Sequence, residues 1–488
     1  MNKKQKSLKI NFIMNAILTM SSFIFPLITF PYVSRILSPA GIGKVSFATS
    51  FISYFSMFAQ LGIPTYGIRA CAKVRDNKEE LTRTAHELLF INIIMCIISY
   101  TALILCLIFI PRLFEDRALY IIVSFTIILT SIGMEWLYKA LEQYSYITIR
   151  SIIFKFIALI FMFLLIRNES DYIIYGAISI FAASASNIFN FINVHKFIGL
   201  KPVGNYNIKR HLKAVGVFFA MACATTIYTH LDTVMLGFMK TDVDVGYYNA
   251  SVKIKQILVS IVTSLGTVLL PRASYYIQNN RMDEFKKISQ KALNFVFLVA
   301  TPLMVYFIIF AKQGIYFLSG SQFEGAIVPM QIIMPTLLLI GLTNILGIQI
   351  LVPLGEEKIV LKSEIAGAIV DLIINILLIP KYGASGAAIG TVAAEAVVFI
   401  VQYDALKNQI RDVFKQISYL KIIVGLVLGS FFSIWTISLN LSSFFILLIS
   451  ACIFFCVYGL FLLLTKEELV LQIFNQCIGM VKKIKSDK

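Results

Sequence analysis

Long apolar runs recur along the whole of this 488-residue chain. Each run has about the 20 residues that a helix needs to cross the hydrocarbon core of a bilayer. Hydrophobic residues make up 58% of the chain and charged residues only 14%, which excludes an ordinary soluble protein. The sequence therefore predicts an all-α integral membrane protein with about 14 transmembrane helices. These spans lie at residues 11–34, 45–68, 86–110, 118–138, 146–166, 171–194, 213–238, 247–271, 290–310, 325–353, 359–379, 383–404, 419–438 and 442–464.

Positive charges test this count, because Lys and Arg concentrate in cytoplasmic loops. With the N-terminus inside, 32 of the 43 Lys and Arg residues lie in or next to inner segments, and eight lie in or next to outer loops. The other three, Lys155, Lys253 and Lys255, lie deeper inside spans. The alternation predicts that both termini are cytoplasmic. It also accounts for much of the net charge of +17, so the charge does not indicate nucleic-acid binding.

Several classes of activity find no support in the sequence. The inner loops are too short for a nucleotide-binding domain, and no GxxxxGK[ST] phosphate loop occurs. The seven cysteines show no metal-ligand spacing with histidine, and the four histidines, His86, His195, His211 and His230, are scattered. We therefore expect no metal, no cofactor and no enzymatic activity, and transport driven by a gradient or by mass action.

The two halves of the chain resemble each other. At an offset of 203 positions, Gly43 pairs with Gly246 and Ser50 with Lys253, and at an offset of 207, Pro64 pairs with Pro271. Each half holds six spans, so a pseudo-two-fold axis along the membrane normal should relate them. We expect an N-terminal lobe at residues 1–205 and a C-terminal lobe at 206–410. Two additional spans and a basic cytoplasmic tail follow at 411–488.

Polar side chains form stripes along four spans related by this repeat. Residues three and four apart share a helix face, so such a stripe marks a side distinct from the lipid. Ser and Thr stripes can also simply hold helices together. Because the stripes recur by symmetry and include charged residues, a water-filled cavity between the lobes accounts for them better. The stripes are Asn15, Thr19, Ser22, Pro26 and Thr29; Ser46, Thr49, Ser53, Ser56 and Gln60; Thr225, Thr229 and Asp232; and Asn249, Lys253, Gln256, Ser260 and Thr263.

A lysine inside a span is a functional candidate, because an unpaired ammonium in hydrocarbon is costly. Lys253 lies on the eighth-span stripe and is a candidate for binding a substrate phosphate. Lys255 lies about 200° further round the helix, where we expect it to contact a neighbouring helix or an anionic headgroup. Lys155 is a further candidate for binding the substrate, and the alternative is that it forms an ion pair with Glu135 or Glu142. The candidate substrate-binding residues are Lys253, Asn249, Gln256, Lys255, Lys155, Arg35, Arg69 and Arg272.

Three acids lie within spans, namely Asp232, Asp371 and Glu395. Each could bind a coupling proton or sodium ion, or could pair with a lysine. His230 is two residues from Asp232 and therefore lies on a different helix face, which does not support a His/Asp relay.

Four stretches of the sequence carry a resemblance to a known family. They are "FPYVSRILSPAGIGKVSFATSFISYFSMFAQLGIPTYGIRACAK", "LDTVMLGFMKTDVDVGYYNASVKIKQ", "VLLPRAS" and "NILLIPKYGASGAAIGTVAAE". With these stretches the chain resembles the polysaccharide flippases of the bacterial Wzx type, within the multidrug/oligosaccharidyl-lipid/polysaccharide exporter superfamily. The resemblance covers roughly the whole chain and does not identify the sugar.

The resemblance implies a V-shaped, two-lobed protein of the bacterial inner membrane. Such a protein carries an undecaprenyl-diphosphate-linked oligosaccharide from the cytoplasmic to the periplasmic leaflet for O-antigen, lipopolysaccharide, capsule or exopolysaccharide synthesis. Its partners would be the lipid-linked substrate, membrane lipids and the polymerase and chain-length proteins of the same pathway. A coupling to H⁺, Na⁺ or the membrane potential would drive it.

Three alternatives remain open. Multidrug exporters of the superfamily often have an acid in the first span, whereas residues 11–34 contain none. Lipid II flippases place arginine in the first span, whereas the first arginine here is Arg35. A membrane scaffold of a polysaccharide synthesis complex would not need Lys253. The two departures from the superfamily patterns, the missing acid and the missing arginine in the first span, favour the oligosaccharide flippase.

Overall fold

The computed structural model describes residues 8–279, 281–472 and 474, without the side chains at 8, 9, 23, 265–272, 274, 278, 408 and 409. Throughout these residues the chain forms helices joined by short turns, and no strand occurs among them. The all-α prediction is therefore confirmed. The chain divides into two compact units, Met1–Gly246 and Tyr247–Lys488. The lobes at 1–205 and 206–410 were inferred from sequence repeats and stay a prediction.

The first unit contains ten α-helices and three short helical segments within the described residues. The α-helices are α1 (Leu8–Gln60), α2 (Ile63–Lys73), α3 (Lys78–Phe109), α4 (Pro111–Phe114), α5 (Arg117–Ile132), α6 (Glu135–Ala140), α7 (Tyr144–Leu165), α8 (Tyr172–Ile180), α9 (Asn187–Asn193) and α10 (Lys209–Met239). The short segments are the 3₁₀ helices Glu169–Asp171 and Val194–Lys196 and the π-helix Phe181–Ala185. Helix α1 contacts α3, α5, α7 and α10 and is therefore central to this unit.

The second unit begins inside helix α11 and ends beyond the described residues. Its α-helices are α11 (Asp242–Gln278), α12 (Met282–Ile309), α13 (Ala311–Leu318), α14 (Ile327–Ile333), α15 (Thr336–Thr343), α16 (Glu357–Tyr382), α17 (Ala384–Lys415), α18 (Tyr419–Ile434) and α19 (Ser443–Leu464). The 3₁₀ helices Ser321–Ala326 and Trp435–Ser438 and the π-helix Asn344–Leu351 connect them. Helices α16 and α17 pack closely together, as do α18 and α19.

Eleven of the described helical stretches are long and apolar enough to cross a membrane, or twelve if the bent pair Ser321–Ile333 and Thr336–Leu351 is one span. The count of fourteen is therefore not confirmed. One reason is that the first and second predicted spans fall in a single stretch, Ile10–Lys73. Another is that the eighth predicted span, 247–271, includes residues whose side chains are not described.

The long helix α1 is interrupted where the sequence predicts a loop between two spans. Ser38 has φ 60° and ψ 171°, which is not helical, and Pro39 follows it. The proline ring disfavours the α conformation in the residue before it, so Pro39 explains the break at Ser38. The two helical parts on either side of Ser38 correspond to the first two predicted spans.

Two glycines of the first unit lie against backbone at equivalent positions of the repeat. A Cβ atom at Gly43 would overlap the carbonyl group of Asp242, and a Cβ at Gly246 would overlap the carbonyl group of Pro39. The offset from Pro39 to Asp242 is 203 positions, the same as from Gly43 to Gly246. Each repeat thus contributes one glycine and one carbonyl to a mutual close approach. An ion pair also fixes Asp242 at this close approach, because its carboxylate pairs with Arg112.

This close packing predicts that Gly43→Ala and Gly246→Ala each lower the free energy of unfolding by about 1–3 kcal/mol, the usual cost of overpacking. Gly216→Ala is the matched control, because no atom lies within 4 Å of a Cβ at this position in α10. Alanine should be neutral or slightly stabilising there. Thermal unfolding of the purified variants in one detergent measures the difference. Equal melting temperatures for Gly43→Ala and Gly216→Ala would contradict the close approach.

Candidate functional site

A cavity of about 330 Å³ lies within the first unit. Its wall is formed by α1, the start of α2, α5, the end of α8, the π-helical segment and α10. Half of the lining side chains are polar, although the surrounding helices are those predicted to cross the membrane. The polar lining residues are Thr49, Ser53, Ser56, Gln60, Thr65, Thr126, Thr226 and His230, and the others are Ile52, Met57, Gly62, Pro64, Val123, Ile180, Ala183 and Ala222.

The second-span stripe forms one side of this cavity. Four of its five predicted residues line the wall, and Ser46 is the exception. The Thr49 hydroxyl donates to the Val45 carbonyl at 2.7 Å, and the Ser53 hydroxyl donates to the Thr49 carbonyl at 2.8 Å. These bonds within the helix satisfy the hydroxyl protons and leave oxygen lone pairs available as acceptors.

Gln60 is fixed at the end of this stripe. Its Nε2 donates to the Ser56 hydroxyl at 2.9 Å and to the Thr130 hydroxyl at 3.2 Å. Because both amide protons are engaged, Oε1 remains as an acceptor. On the opposite side, His230 Nδ1 lies 3.2 Å from the Ser50 hydroxyl, which fixes the orientation of the imidazole ring.

Helix α10 contributes a different face from the one that the sequence predicts. Ala222, Thr226 and His230 follow one another at intervals of four residues and line the cavity. The predicted residues Thr225 and Thr229 are exposed, and their hydroxyls donate to carbonyls one turn earlier in α10. Adjacent residues are about 100° apart on a helix, so both faces carry polar groups at helical spacing. The sequence had no signal to choose between them, and His230 was missed as a lining residue.

A buried ionic cluster holds the beginning of α10. The Glu87 side chain is fully buried and accepts from Arg210 at 2.7 Å, from the Asn207 backbone at 2.7 Å and bonds to His211 Nε2 at 2.7 Å. The other ring nitrogen of His211 lies 2.8 Å from the Tyr66 hydroxyl. The cluster therefore ties α3 and α2 to the start of α10, the helix that carries Thr226 and His230.

The candidate cations lie outside the cavity lining. Lys253 is half-buried on α11, and none of the described side chains forms a hydrogen bond or ion pair with it. Asn249 is half-buried and Gln256 is exposed on the same helix. Lys255 is half-buried. These four residues belong to the second unit, whereas the cavity belongs to the first.

Lys155 of α7 bonds to hydroxyls rather than to either of the acids that the sequence suggests. Its ammonium donates to Ser21 at 2.8 Å and to Ser22 at 3.0 Å. Glu135 pairs with Lys139, and Glu142 pairs with Arg75, each at 2.8 Å. The charge of Lys155 is therefore solvated by two neutral groups of α1.

The candidate arginines are separate from the cavity. Arg35 is exposed, and its guanidinium donates to the Pro31 carbonyl. Arg69 is exposed on α2. The side chain of Arg272 lies outside the described residues, as does that of Pro271.

Two of the three candidate acids lie on packed helices of the second unit. Asp371 of α16 and Glu395 of α17 are both buried. A Cβ at Gly390 would lie 2.8 Å from a carboxylate oxygen of Asp371 and would overlap Asn375, so glycine makes room for both polar groups. Asp232 is buried in the first unit. Among the described residues no group of three His, Cys, Asp or Glu side chains could hold a metal ion.

Long apolar helices and a polar cavity among them define a multi-pass membrane protein built like a transporter. Comparison with known families identifies it further. The chain belongs to the family described as polysaccharide biosynthesis protein, whose model matches residues 8–277. The MatE family model matches residues 218–377.

Individual proteins agree with this membership. A protein of Escherichia coli (strain K12), whose name describes an O-antigen transporter, is 27% identical over 412 residues, covering 84% of this chain and 99% of that protein. A protein of Haloferax volcanii, named as a flippase of low-salt glycan biosynthesis, is 20% identical over 283 residues, covering 56% of this chain and 58% of that protein.

Two solved structures share the fold. The lipid II flippase MurJ, in an inward closed conformation, has a TM-score of 0.70 at 18% identity, covering 92% of this chain and 98% of that chain. A multidrug resistance transporter of the MATE family, in an inward-facing conformation, has a TM-score of 0.62 at 14% identity, covering 83% and 99%. The resemblance to Wzx-type flippases and their superfamily is therefore confirmed.

The ionic cluster predicts that Glu87→Gln lowers the free energy of unfolding by about 1–3 kcal/mol, because the fully buried side chain loses its charge-assisted hydrogen bonds to Arg210 and His211. Glu79→Gln is the control, since Glu79 pairs with Arg83 in an exposed position and the loss should be under about 1 kcal/mol. Thermal unfolding in detergent compares the two variants. If both melt at the wild-type temperature, the cluster does not hold α10.

Proposed function

We propose that this protein is a flippase for undecaprenyl-diphosphate-linked oligosaccharide repeat units. It moves them from the cytoplasmic to the periplasmic leaflet of the inner membrane by alternating access, for the synthesis of O-antigen, capsule or exopolysaccharide. The observation that carries the proposal is the polar cavity among apolar helices of a polysaccharide biosynthesis protein. The names of the relatives from Escherichia coli and Haloferax volcanii support it.

Lys253 is the proposed ligand of the diphosphate. A half-buried ammonium within a membrane-spanning helix is costly unless it meets water, an anion or a partner. The described side chains offer it no ion pair, so a substrate phosphate would supply the counter-charge. Asn249 and Gln256 would donate further hydrogen bonds from the same helix. Lys255, Lys155, Arg35, Arg69 and Arg272 would attract and guide the anion.

The intramembrane acids are the proposed coupling sites. Asp371 and Glu395 are buried on two adjacent helices, and Asp232 is buried on α10. A buried carboxylate that gains and loses a proton or a sodium ion can bias one conformation over another. An inside-negative potential would itself assist export of an anion, by about 2.3 kcal/mol per charge per 100 mV.

The proposed setting is the bacterial inner membrane with both termini cytoplasmic. The polymerase and chain-length proteins of the same pathway are the proposed partners. A cation-coupled multidrug exporter is the second candidate, favoured by the MatE match at residues 218–377. The two differ in what they move, since the exporter would confer resistance to organic cations and would leave surface polysaccharide unchanged.

Complementation of a flippase-null strain tests the proposal. Lys253→Ala should abolish surface polysaccharide and cause lipid-linked repeat units to accumulate on the cytoplasmic side, because the diphosphate loses its counter-charge. Asp371→Asn and Glu395→Gln should reduce export if these acids carry the coupling ion. Lys407→Ala should export normally, since Lys407 is exposed and pairs with the exposed Asp404.

Membrane insertion of each variant is checked by quantitative immunoblotting. If the Lys253→Ala variant is present at normal abundance and exports polysaccharide fully, Lys253 does not bind the diphosphate. Failure of the wild-type protein to restore polysaccharide in any flippase-null host, together with drug resistance, would favour the multidrug exporter.

A further inference from the structure

The cavity of the first unit carries no fixed charge. Its sixteen described lining residues include hydroxyls, one amide and one imidazole, and none is Lys, Arg, Asp or Glu. A diphosphate needs charge-assisted donors, and an ionised group that leaves water without a counter-charge pays a large desolvation cost. The cavity therefore does not suit the diphosphate of the proposed substrate.

Several lining groups have unused hydrogen-bonding capacity. Gln60 keeps Oε1 as an acceptor, since its amide protons go to Ser56 and Thr130. Among the described residues, the Thr65 and Thr226 hydroxyls form no hydrogen bond, although both line the cavity. His230 uses only Nδ1, so Nε2 is available. The cavity thus offers both donors and acceptors from neutral groups.

Apolar side chains lie between these polar groups. Four large apolar side chains of the wall, Ile52, Met57, Val123 and Ile180, are buried. Apolar surface with a few convergent polar groups is the usual composition of a small-molecule site, and 330 Å³ is within the usual range of volumes. A sugar ring matches it, because its C–H faces are apolar while its hydroxyl or acetamido groups donate and accept.

We propose that this cavity binds an uncharged sugar residue of the lipid-linked oligosaccharide through Gln60, Thr226 and His230, and that it disfavours an acidic sugar. The inference rests on the proposed flippase function and concerns only the sugar part of the substrate. The diphosphate, whose proposed ligand is Lys253, finds no counter-charge among the described lining residues of this cavity. A uronic acid would bring a carboxylate into a cavity that has no cation to pair with it.

Three probes separate the two parts of the substrate. They are undecaprenyl diphosphate, undecaprenyl-diphosphate glucose and undecaprenyl-diphosphate glucuronic acid, and the last two differ only in an uncharged CH₂OH against a carboxylate. Equilibrium binding to the full-length protein in lipid nanodiscs is measured for each. The wild type should bind the glucosyl lipid several-fold more tightly than either of the other two.

Thr226→Val removes one hydroxyl at nearly constant volume. It should lower the affinity for the glucosyl lipid by about 2–10-fold, the usual range for one hydrogen bond. The affinity for undecaprenyl diphosphate should not change. Gln60→Leu should act in the same direction. Thr229→Val is the matched control on α10, because Thr229 is exposed outside the cavity. Lys253→Ala should lower the affinity for all three lipids by the same factor, because all three carry the diphosphate.

Equal wild-type affinity for the glucosyl and glucuronyl lipids would overturn the inference, as would equal loss of all three probes in Thr226→Val. Either result leaves the flippase proposal intact. If the wild type binds none of the three lipids, the proposed function itself fails.

Discussion

Polar groups inside a membrane need partners, and this requirement governs the whole structure. Water is absent from the hydrocarbon core, so each hydroxyl, amide or charge there bonds to protein or faces a wet cavity. Many intramembrane Ser and Thr hydroxyls of the first unit donate to carbonyls of their own helix, as Thr49 and Ser53 do. Several hydrogen-bonding groups that remain available, on Gln60, Thr65, Thr226 and His230, line one cavity. The candidate site is thus a place where polar groups of several helices are left incompletely satisfied.

Two kinds of contact fix the helices around that cavity. The Glu87 cluster fixes the start of α10, and the pairing of Arg112 with Asp242 fixes the chain just after its end. The mutual approach of Gly43 and Gly246 requires the absence of side chains at both positions. A helix fixed at both ends presents a defined face, and in α10 this is the face of Thr226 and His230. The sugar specificity proposed for the cavity depends on the rotational orientation of α10 about its own axis, because this orientation decides which side chains line the cavity.

The sequence predicted much of this, and the failures have physical causes. Hydropathy predicted an all-helical membrane protein, and the spacing of Thr49, Ser53, Ser56 and Gln60 predicted that these side chains share one polar helix face. That face lines a cavity within the first unit, whereas the cavity between the lobes that the stripes suggested stays a prediction. The face of α10 could not be predicted, because Thr225 and Thr226 both belong to polar stripes and only tertiary packing selects one. The partners of Lys155 could not be predicted either, since Ser21 and Ser22 lie far from it in sequence.

The central claim is that polar molecules reach the cavity of the first unit from water. Labelling by a membrane-impermeant methanethiosulfonate reagent in a cysteine-free background tests it directly, with Ser53→Cys in the cavity and Ala48→Cys, fully buried on the same helix, as control. We predict that Ser53→Cys reacts in intact membranes and that Ala48→Cys does not. Lack of reaction at Ser53→Cys from both sides of the membrane would show a dry cavity and would contradict the account.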